Sequence, residues 1–500
     1  MRAFYFSILL AAPLVLRAAS PDAAQEAEKE LFAARYEHAA GLYSKLLHDE
    51  PAWAPGYYGV VRAWIGANRP HEAYAAAAEG LLHAPETAEA QTAAGLAAFR
   101  SGDLAKAETC YRKALKIAPS YAGALDGLAS IYASISKFKT ARKLMIAAYR
   151  ASPNDPRLMT EWANTLQGAE HIAALEQALA IYDPGSREAR ALRAHLASDK
   201  ASGGRKPRRL TSPYQSYEIK LAPIVTGPRK MYGVGLRVQL NQKDVGRLLL
   251  DTGASGISIS PKAAEKAGLE ILANESLEAR GIGDRKPQDS FRYLAAGVRI
   301  GDVEFADFPV SVFQSAKTAD VDGMIGADVF QRFLVTVDFQ GMQLTLDPYP
   351  GAPPAAGDPQ DSADPLPAGF FRVFQFGHHL TVPTSVNGRA PRLFLIDSGG
   401  SVNLIDTEVA EESTKVRGDD RTQLRGIQGK VKDVSRADHA SLVFAGFRQD
   451  NPDLLATSLE SVGNSSGVGI AGILGMPVLW QMKMTIDYRN GAVRFEHKKP

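Results

Sequence analysis

The apolar positions of this 500-residue chain follow two different periods. From about residue 23 to 195, small and large apolar residues recur at a step of 34, which predicts helices stacked in repeats. Farther along, short runs rich in β-branched residues and bounded by Gly and Asn predict strands, at 234–240, 245–250, 393–396 and 482–488. The pattern therefore predicts a multidomain chain, with an all-α N-terminal part and an all-β C-terminal part.

The step of 34 is carried by small residues, which allow close helix packing, and by prolines, which end the second helix of each unit. These positions are Ala39, Ala73, Ala107 and Ala141, then Pro51, Pro85, Pro119 and Pro153. The period and pattern resemble tetratricopeptide repeats (TPR), with a degenerate fifth unit at 169–184 as a cap. The resemblance implies a curved solenoid with a concave groove. Its role stays open between docking of a peptide or protein partner and a spacer for the C-terminal half.

Two short cassettes in the β part match each other, LLDTGAS at 249–255 and LIDSGGS at 395–401. Each places a carboxylate after an apolar run and follows it with a hydroxyl residue and a glycine. A single copy would be typical of an ordinary turn. Two matched carboxylates, Asp251 and Asp397, suit chemistry in which one activates water as a general base and the other holds a proton as a general acid.

The surroundings of the cassettes are repeated as well, which indicates an internal duplication. In both copies an Asn lies ten residues before the cassette Asp, a glycine-containing segment follows, then an apolar-Gly motif, and a second Asp twelve residues later. These features are Asn241 and Asn387, 281–283 and 426–429, 323–326 and 472–475, and Asp338 and Asp487. The second Asp of each copy precedes a Gly-containing turn, so we interpret it as a turn or strand-end carboxylate.

On these motifs, each half of the region from about 216 to 498 resembles a retropepsin-type aspartic protease lobe. The resemblance implies a pepsin-like pseudo-dimer in which Asp251 and Asp397 form one catalytic pair. It implies that the Thr and Ser hydroxyls brace the two loops across the pair and that the glycines offer N–H groups to the carboxylates. It also implies flaps at 280–288 and 425–433, which close over an extended peptide. The supporting residues are Thr252, Gly253, Ser398 and Gly399, and the flap residues are Gly281, Ile282, Gly283, Gly426, Ile427 and Gly429.

Two carboxylates about 3 Å apart cannot both ionise without a large penalty, so such a pair shares one proton, as in aspartic proteases generally. The sequence does not assign that proton to either Asp251 or Asp397. Pepsin-like enzymes usually carry a hydroxyl residue directly after the loop glycine, whereas Ala254 and Gly400 stand there in this chain. This departure is more typical of retroviral enzymes, and it shifts the expected working range toward mild acidity.

The expected function is therefore an exported aspartic endopeptidase whose repeats recruit a substrate or partner. Two alternatives stay open at this point. One is a non-catalytic, peptide-binding scaffold of the cell envelope, and the other is a protease whose lobes pair between two chains. Retention of both carboxylates and both hydroxyl residues favours the enzyme.

Composition adds mainly exclusions. The chain has 57 Lys and Arg against 55 Asp and Glu, which leaves no electrostatic footprint for nucleic acid. Its single cysteine, Cys110, excludes an intrachain disulfide framework, and we interpret it as a packed residue. The pair His378-His379 lacks metal-ligand spacing and is predicted to lie on a strand surface. We expect no metal, no cofactor and no transmembrane span after the N-terminal segment.

The N-terminus has the features of an export signal, since Arg2 precedes an apolar stretch at 3–16 and small residues at 18–20. A periplasmic or secreted location follows from this. The segment at 199–215 is basic and contains Gly-Gly, so we expect it to be an exposed tether and the repeats to fold semi-independently. The predicted organisation is a signal peptide at 1–20, a repeat domain at 21–198, a basic linker at 199–215, lobe 1 at 216–348, a Pro-rich linker at 349–368 and lobe 2 at 369–500.

Overall fold

A computed structural model describes most of the chain from residue 21 onward. The described residues are 21–203, 207–226, 230–279, 281–283, 288–314, 321–350, 360–419, 421–426, 429–431 and 433–497. The predicted signal peptide at 1–20 and Ile427 of the second predicted flap lie outside them. None of the described helices is long and apolar enough to cross a membrane.

The N-terminal part is built from helix pairs, and the first helices of successive pairs begin at residues 54, 88, 122 and 156, which preserves the step of 34. The predicted repeat alanines are buried where helices pack closely, and Ala39, Ala73 and Ala107 have no exposed surface. The helices are α1 (Pro21–Phe32), α2 (Tyr36–Asp49), α3 (Ala54–Gly66), α4 (Pro70–His83), α5 (Ala88–Arg100), α6 (Leu104–Ile117), α7 (Ala122–Ser134), α8 (Phe138–Ala151), α9 (Pro156–Ala163), α10 (Gly168–Ile181) and α11 (Arg187–Ser202).

The repeats curve until their last turn meets their first. The backbone N–H of Asp183, between α10 and α11, donates to the carbonyl oxygen of Ala33, between α1 and α2, at 2.9 Å. The guanidinium of Arg35 adds an ion pair with the Asp183 carboxylate at 3.3 Å. The concave side of the solenoid is thereby closed around a cavity of about 430 Å³.

The β part consists of two barrels, which we call lobe 1 and lobe 2. Lobe 1 contains β1 (Arg209–Leu210), β2 (Tyr217–Lys220), β3 (Ala222–Thr226), β4 (Lys230–Leu240), β5 (Lys243–Leu250), β6 (Ile257–Ile259), α12 (Pro261–Lys266), β7 (Glu270–Ala279), β8 (Gln288–Ile300), β9 (Val303–Val312), β10 (Gly323–Ile325), a 3-10 helix (Ala327–Phe330), β11 (Phe333–Asp338) and β12 (Gln343–Pro348).

Lobe 2 repeats the path of lobe 1. It contains β13 (Phe371–Arg372), β14 (Phe374–Phe376), β15 (His379–Val386), β16 (Arg392–Ile396), β17 (Leu404–Asp406), α13 (Thr407–Ser413), β18 (Val416–Gly418), β19 (Arg425–Gly426), β20 (Gly429–Lys430), β21 (Ser435–Phe444), β22 (Phe447–Thr457), α14 (Glu460–Ser466), β23 (Gly472–Leu474), α15 (Met476–Leu479), β24 (Met482–Asp487) and β25 (Ala492–His497). The order β4-β5-β10-β6-β9-β8 recurs as β15-β16-β23-β17-β22-β21, so the structure shows the duplication directly.

Strands from both lobes join in one sheet, with the order β13-β25-β24-β11-β12-β2. At its centre β11 pairs antiparallel with β24, and the hydroxyls of Thr336 and Thr485 meet at 3.0 Å. The two lobes therefore pair within one chain. The recurrent carboxylates end the central strands as predicted, since Asp338 accepts the Gly341 N–H at 2.7 Å and Asp487 accepts the Asn490 N–H at 2.9 Å.

The repeat domain packs against both lobes, so the prediction of an exposed linker and semi-independent repeats is wrong. Arg208 of that linker donates to the carboxylate of Asp328 in lobe 1 at 3.1 Å. The α5–α6 turn packs on lobe 2, where the Gly469 N–H donates to the Arg100 carbonyl oxygen at 2.7 Å. The rings of Phe99 and Phe376 add an edge-to-face contact across the same interface, with centroids 5.9 Å apart. These contacts hold the repeat domain against the lobes.

Candidate active site

The two predicted aspartates occupy matching places at the ends of matching strands. Asp251 follows β5 and Asp397 follows β16, each of which carries buried apolar residues into the core. The apolar-Gly strands β10 and β23 lie parallel to them and fix the loops, because the Asp251 N–H donates to Ile325 O at 2.9 Å and the Asp397 N–H to Leu474 O at 3.0 Å. The local duplication thus places both carboxylates at one junction between the lobes.

Thr252 and Ser398 brace the two loops against each other through four hydrogen bonds. The Thr252 N–H donates to Ser398 Oγ at 3.0 Å, and the Ser398 N–H donates to Thr252 Oγ1 at 2.9 Å. Each hydroxyl then donates across the interface, Thr252 Oγ1 to Ile396 O and Ser398 Oγ to Leu250 O, both at 2.8 Å. Both side chains are buried. The structure therefore joins the loops in the reciprocal way that the resemblance implies.

The loop glycines serve two needs at once. Their N–H groups donate to the carboxylates, from Gly253 to Asp251 Oδ1 and from Gly399 to Asp397 Oδ1, each at 2.8 Å. Each glycine also faces the opposite aspartate. A Cβ on Gly399 would lie 2.5 Å from Asp251 Cγ, and one on Gly253 would lie 3.0 Å from Asp397 Cγ. A side chain at either position would therefore separate the two carboxylates.

The carboxyl groups of Asp251 and Asp397 face each other beside the loop glycines, since a Cβ on Gly253 would lie 3.0 Å from Asp397 Oδ1 and 3.2 Å from Asp251 Oδ1. Burial raises the pKa of Asp251 well above its ordinary value, and the neighbouring Asp397 raises it further. Burial also raises the pKa of Asp397, against the lowering effect of the Gly399 and Gly400 N–H groups. The pair therefore retains a shared proton at a pH where isolated aspartates have lost theirs.

The predicted flap residues of the two lobes lie against each other. The structure describes three residues of the first flap between its gaps, Gly281, Ile282 and Gly283. In the second flap the short hairpin β19–β20 pairs Gly426 with Gly429. Gly426 has no room for a Cβ beside the Ile282 carbonyl oxygen, so the two main chains are in direct contact. The Ile282 side chain packs into an apolar cluster of lobe 2.

Two residues beside the aspartates were not assigned to the site by the sequence analysis. Tyr232 packs against the apolar cluster that contains Leu249 of the first cassette, and burial and the charges of Asp251 and Asp397 raise its pKa to about 12. His378 lies with Nε2 3.1 Å from the carbonyl oxygen of Gly253, rather than on a strand surface as predicted. Both stand 19 residues before a cassette Asp, and this matched spacing is the signal that could have identified them.

Lobe 1 has a further brace that the sequence analysis also missed. The buried carboxylate of Asp328, on the 3-10 helix after β10, accepts the Gly256 N–H at 2.7 Å and the Ser255 hydroxyl at 3.1 Å. Arg208 neutralises the same carboxylate. At the matching position lobe 2 has Pro477, so this support is specific to the Asp251 loop.

No group of three or more metal-ligating side chains occurs within the described ranges. The site brings together two carboxyl groups, main-chain N–H groups and hydroxyls. Such an arrangement can exchange one proton between a base and an acid.

Comparisons with known proteins bear on both parts of the chain. The aspartyl protease family model matches residues 236–329 and 382–478, one segment in each lobe. The tetratricopeptide repeat model matches residues 88–121, which span α5 and α6. No curated protein matched the sequence.

Solved structures resemble the two parts separately. The aspartic proteinase from Irpex lacteus is 13% identical, over 56% of this chain and 97% of its own, with a TM-score of 0.37. MamA is 18% identical over 31% of this chain and 93% of its own, with a TM-score of 0.21. PilF of Pseudomonas aeruginosa is 16% identical over 36% of this chain and 84% of its own, with a TM-score of 0.24. The duplicated barrels therefore have the aspartic protease fold, with one match to the aspartyl protease family model in each lobe, and the helical part has the fold of tetratricopeptide repeats.

Proposed function

We propose that the chain is an aspartic endopeptidase in which Asp251 and Asp397 hydrolyse peptide bonds through an activated water. One observation carries the proposal: the two carboxyl groups face each other at the ends of loops that Thr252 and Ser398 join across the lobes. A degenerate binding module has no need for this reciprocal arrangement. It also has no need to hold two carboxyl groups close together, because desolvation and mutual repulsion make such a pair costly.

In the proposed mechanism the ionised member of the pair takes a proton from water as the water attacks the peptide carbonyl. The protonated member donates to the carbonyl oxygen, where negative charge develops. The Gly253 and Gly399 N–H groups hold the carboxylates in place. Because the pair must carry one proton, the rate should pass through a maximum in pH, limited by the two apparent pKa values of the pair. The contacting flaps would hold an extended substrate over it.

We propose in addition that the repeats bind a polypeptide that is substrate or partner. The cavity on their concave side is lined by the aromatic residues Phe32, Tyr58 and Tyr111. It also contains the ion pair between Arg62 and Asp155, at 2.6 Å. Aromatic faces beside fixed charges suit contact with both apolar and polar side chains of a peptide.

Export remains part of the proposal on sequence grounds alone. The charged start, the apolar stretch at 3–16 and the small residues after it are typical of a secretory signal. A tagged full-length chain expressed in a Gram-negative host should accumulate in the periplasm and lose its first residues. Retention in the cytoplasm with an intact N-terminus would contradict export and would leave the proposed chemistry untouched.

The mechanism is tested with Asp251→Asn and Asp397→Asn, because asparagine keeps the shape of aspartate and cannot exchange the proton. Each should abolish cleavage of a denatured protein substrate, while far-UV circular dichroism stays that of the wild type. Asp338→Asn is the matched control, since Asp338 is the other duplicated aspartate of lobe 1 and caps a turn at the end of β11. A statine-type peptide should inhibit, because its hydroxyl mimics the tetrahedral intermediate. Peptide binding without turnover in the wild type would favour a binding scaffold instead.

A further inference from the structure

The Asp251 loop receives a side-chain hydrogen bond that has no counterpart on the Asp397 loop within the described residues. The carbonyl oxygen of Gly253 accepts from His378 Nε2 at 3.1 Å, so the donor comes from lobe 2 and the acceptor from lobe 1. Up to the cassettes, residues 146 apart correspond in the two lobes, as Asn241 and Asn387 do, and the residue that corresponds to His378 is Tyr232. The two halves of the pair are therefore supported differently.

The bond bears on Asp251 through a single peptide group. The Gly253 carbonyl shares that group with the Ala254 N–H, which donates to the main-chain carbonyl oxygen of Asp251 at 3.2 Å and closes the turn. A donor on the carbonyl side polarises the peptide and makes its N–H a stronger donor. His378 thereby stabilises the turn in which the Gly253 N–H donates to the Asp251 carboxylate at 2.8 Å, an interaction that favours the ionised form.

The protonation states of the two histidines follow from their partners. A carbonyl oxygen only accepts, so His378 carries its proton on Nε2. The Ser466 hydroxyl donates to Val462 O at 2.9 Å, so its 2.7 Å contact with His379 requires the proton on His379 Nδ1. Burial lowers the pKa of both imidazoles, that of His379 to about 3, against a small opposing effect of Asp328 on His378. The lowered pKa values favour the neutral form of both rings.

His378 is held in place by contacts that lead away from the site. Its ring lies 4.0 Å from that of His379, which is buried and bonded to Ser466 at the end of α14. Helix α14 contacts the repeat domain in turn, because Arg100 Nη2 of α5 donates to Asn464 Oδ1 at 3.3 Å. The support of the Asp251 loop is thus continuous with the interface between lobe 2 and the repeats.

We propose that His378 is a positioning residue of the aspartic pair: as a neutral N–H donor to Gly253 O, anchored through His379 and Ser466, it sets the geometry and acidity of the Asp251 side. This inference rests on the proposed peptidase function. It assigns to the repeat domain a second role, which is to support the helix that anchors this donor. Without the donor, the carboxylate form of Asp251 is less favoured and the acid limb of the pH–rate profile moves to higher pH.

The test compares His378→Phe, which fills the space without a donor, with His378→Gln, whose amide can donate to the same carbonyl. His378→Phe should lower kcat about tenfold with KM near the wild-type value, and should shift the acid limb upward by a few tenths to about one pH unit. His378→Gln should recover most of kcat and the wild-type limb. Ser466→Ala should lie between them, and exposed His439→Gln is the matched control.

Equal losses in His378→Phe and His378→Gln, or a lower kcat with an unmoved acid limb, would reduce His378 to a packing residue and overturn the proposal. The pH dependence of thermal unfolding supplies a readout that needs no turnover. His378→Phe should move the pH at which stability changes in the same direction as the acid limb, and an unchanged profile would count against the inference. If the wild type cleaves nothing, the peptidase function fails, while this unfolding comparison still decides whether His378 acts on the pair.

Discussion

The brace between the two loops can be tested by replacing Thr252 with valine, which keeps the shape of the side chain and removes its hydroxyl. Thr252 is 3% exposed, so water cannot replace the lost partner. Two main-chain groups lose their hydrogen bonds in this variant. One is the Ser398 N–H, which donates to Thr252 Oγ1 at 2.9 Å, and the other is the Ile396 carbonyl, which accepts from it at 2.8 Å.

The structure gives the expected magnitude. A buried donor or acceptor left without a partner costs about 1–3 kcal/mol, so two of them weaken the joined loops by about 2–6 kcal/mol. Thr252→Ser is the matched control, because it retains the hydroxyl and removes only a buried methyl group, at about 1 kcal/mol. The comparison therefore separates the hydrogen bonds from the packing.

Hydrogen exchange measured by mass spectrometry on a peptide that includes Ser398 reports the local opening free energy without assuming two-state unfolding of a multidomain chain. The Ser398 amide should exchange at least about 30-fold faster in Thr252→Val, since each 1.4 kcal/mol is about tenfold. Thr252→Ser should change the rate by less than about tenfold. Peptidase activity should fall in the same order. Equal exchange in Thr252→Val and wild type, or a larger effect of Thr252→Ser, would refute the reasoning.

Three further outcomes follow from the site. Gly399→Ala should abolish turnover in a peptide cleavage assay because its Cβ would lie 2.5 Å from Asp251 Cγ, whereas Gly253→Ala, at 3.0 Å from the opposite carboxyl carbon, should retain a measurable rate. The folded chain holds a proton on the pair that the unfolded chain loses above about pH 4, so stability falls as pH rises past that value. Asp251→Asn should therefore raise the calorimetric unfolding temperature at about pH 7, with a gap that closes below about pH 4. Arg208→Ala leaves the buried Asp328 carboxylate unpaired and should cost about 3–5 kcal/mol locally, read as faster exchange at 254–258, while Arg208→Lys recovers part of it.

Much of the architecture was accessible from local patterns because each pattern is complete within a few dozen residues. The step of 34 reflects how one helix pair stacks on the next, so it predicts helices that begin at residues 54, 88, 122 and 156. The cassettes contain the strand ends, hydroxyls and glycines through which the two loops contact each other across a pseudo-symmetry axis. The resemblance then supplied the pairing of Asp251 with Asp397, which spacing alone leaves open.

The rest depends on contacts between segments that share no spacing. The bond from His378 to Gly253 joins residues 125 apart, the ion pair of Arg208 with Asp328 joins residues 120 apart, and the bond from Arg100 to Asn464 joins residues 364 apart. The composition of the linker predicted a solvated tether, because a charge pattern does not show that Arg208 will pair with the buried carboxylate of Asp328. Likewise the spacing of His378 and His379 predicts no role for them. The fold places the Gly253 carbonyl oxygen beside one ring and the Ser466 hydroxyl beside the other. Long-range packing assigns these partners, and with them the unequal support of the two aspartates.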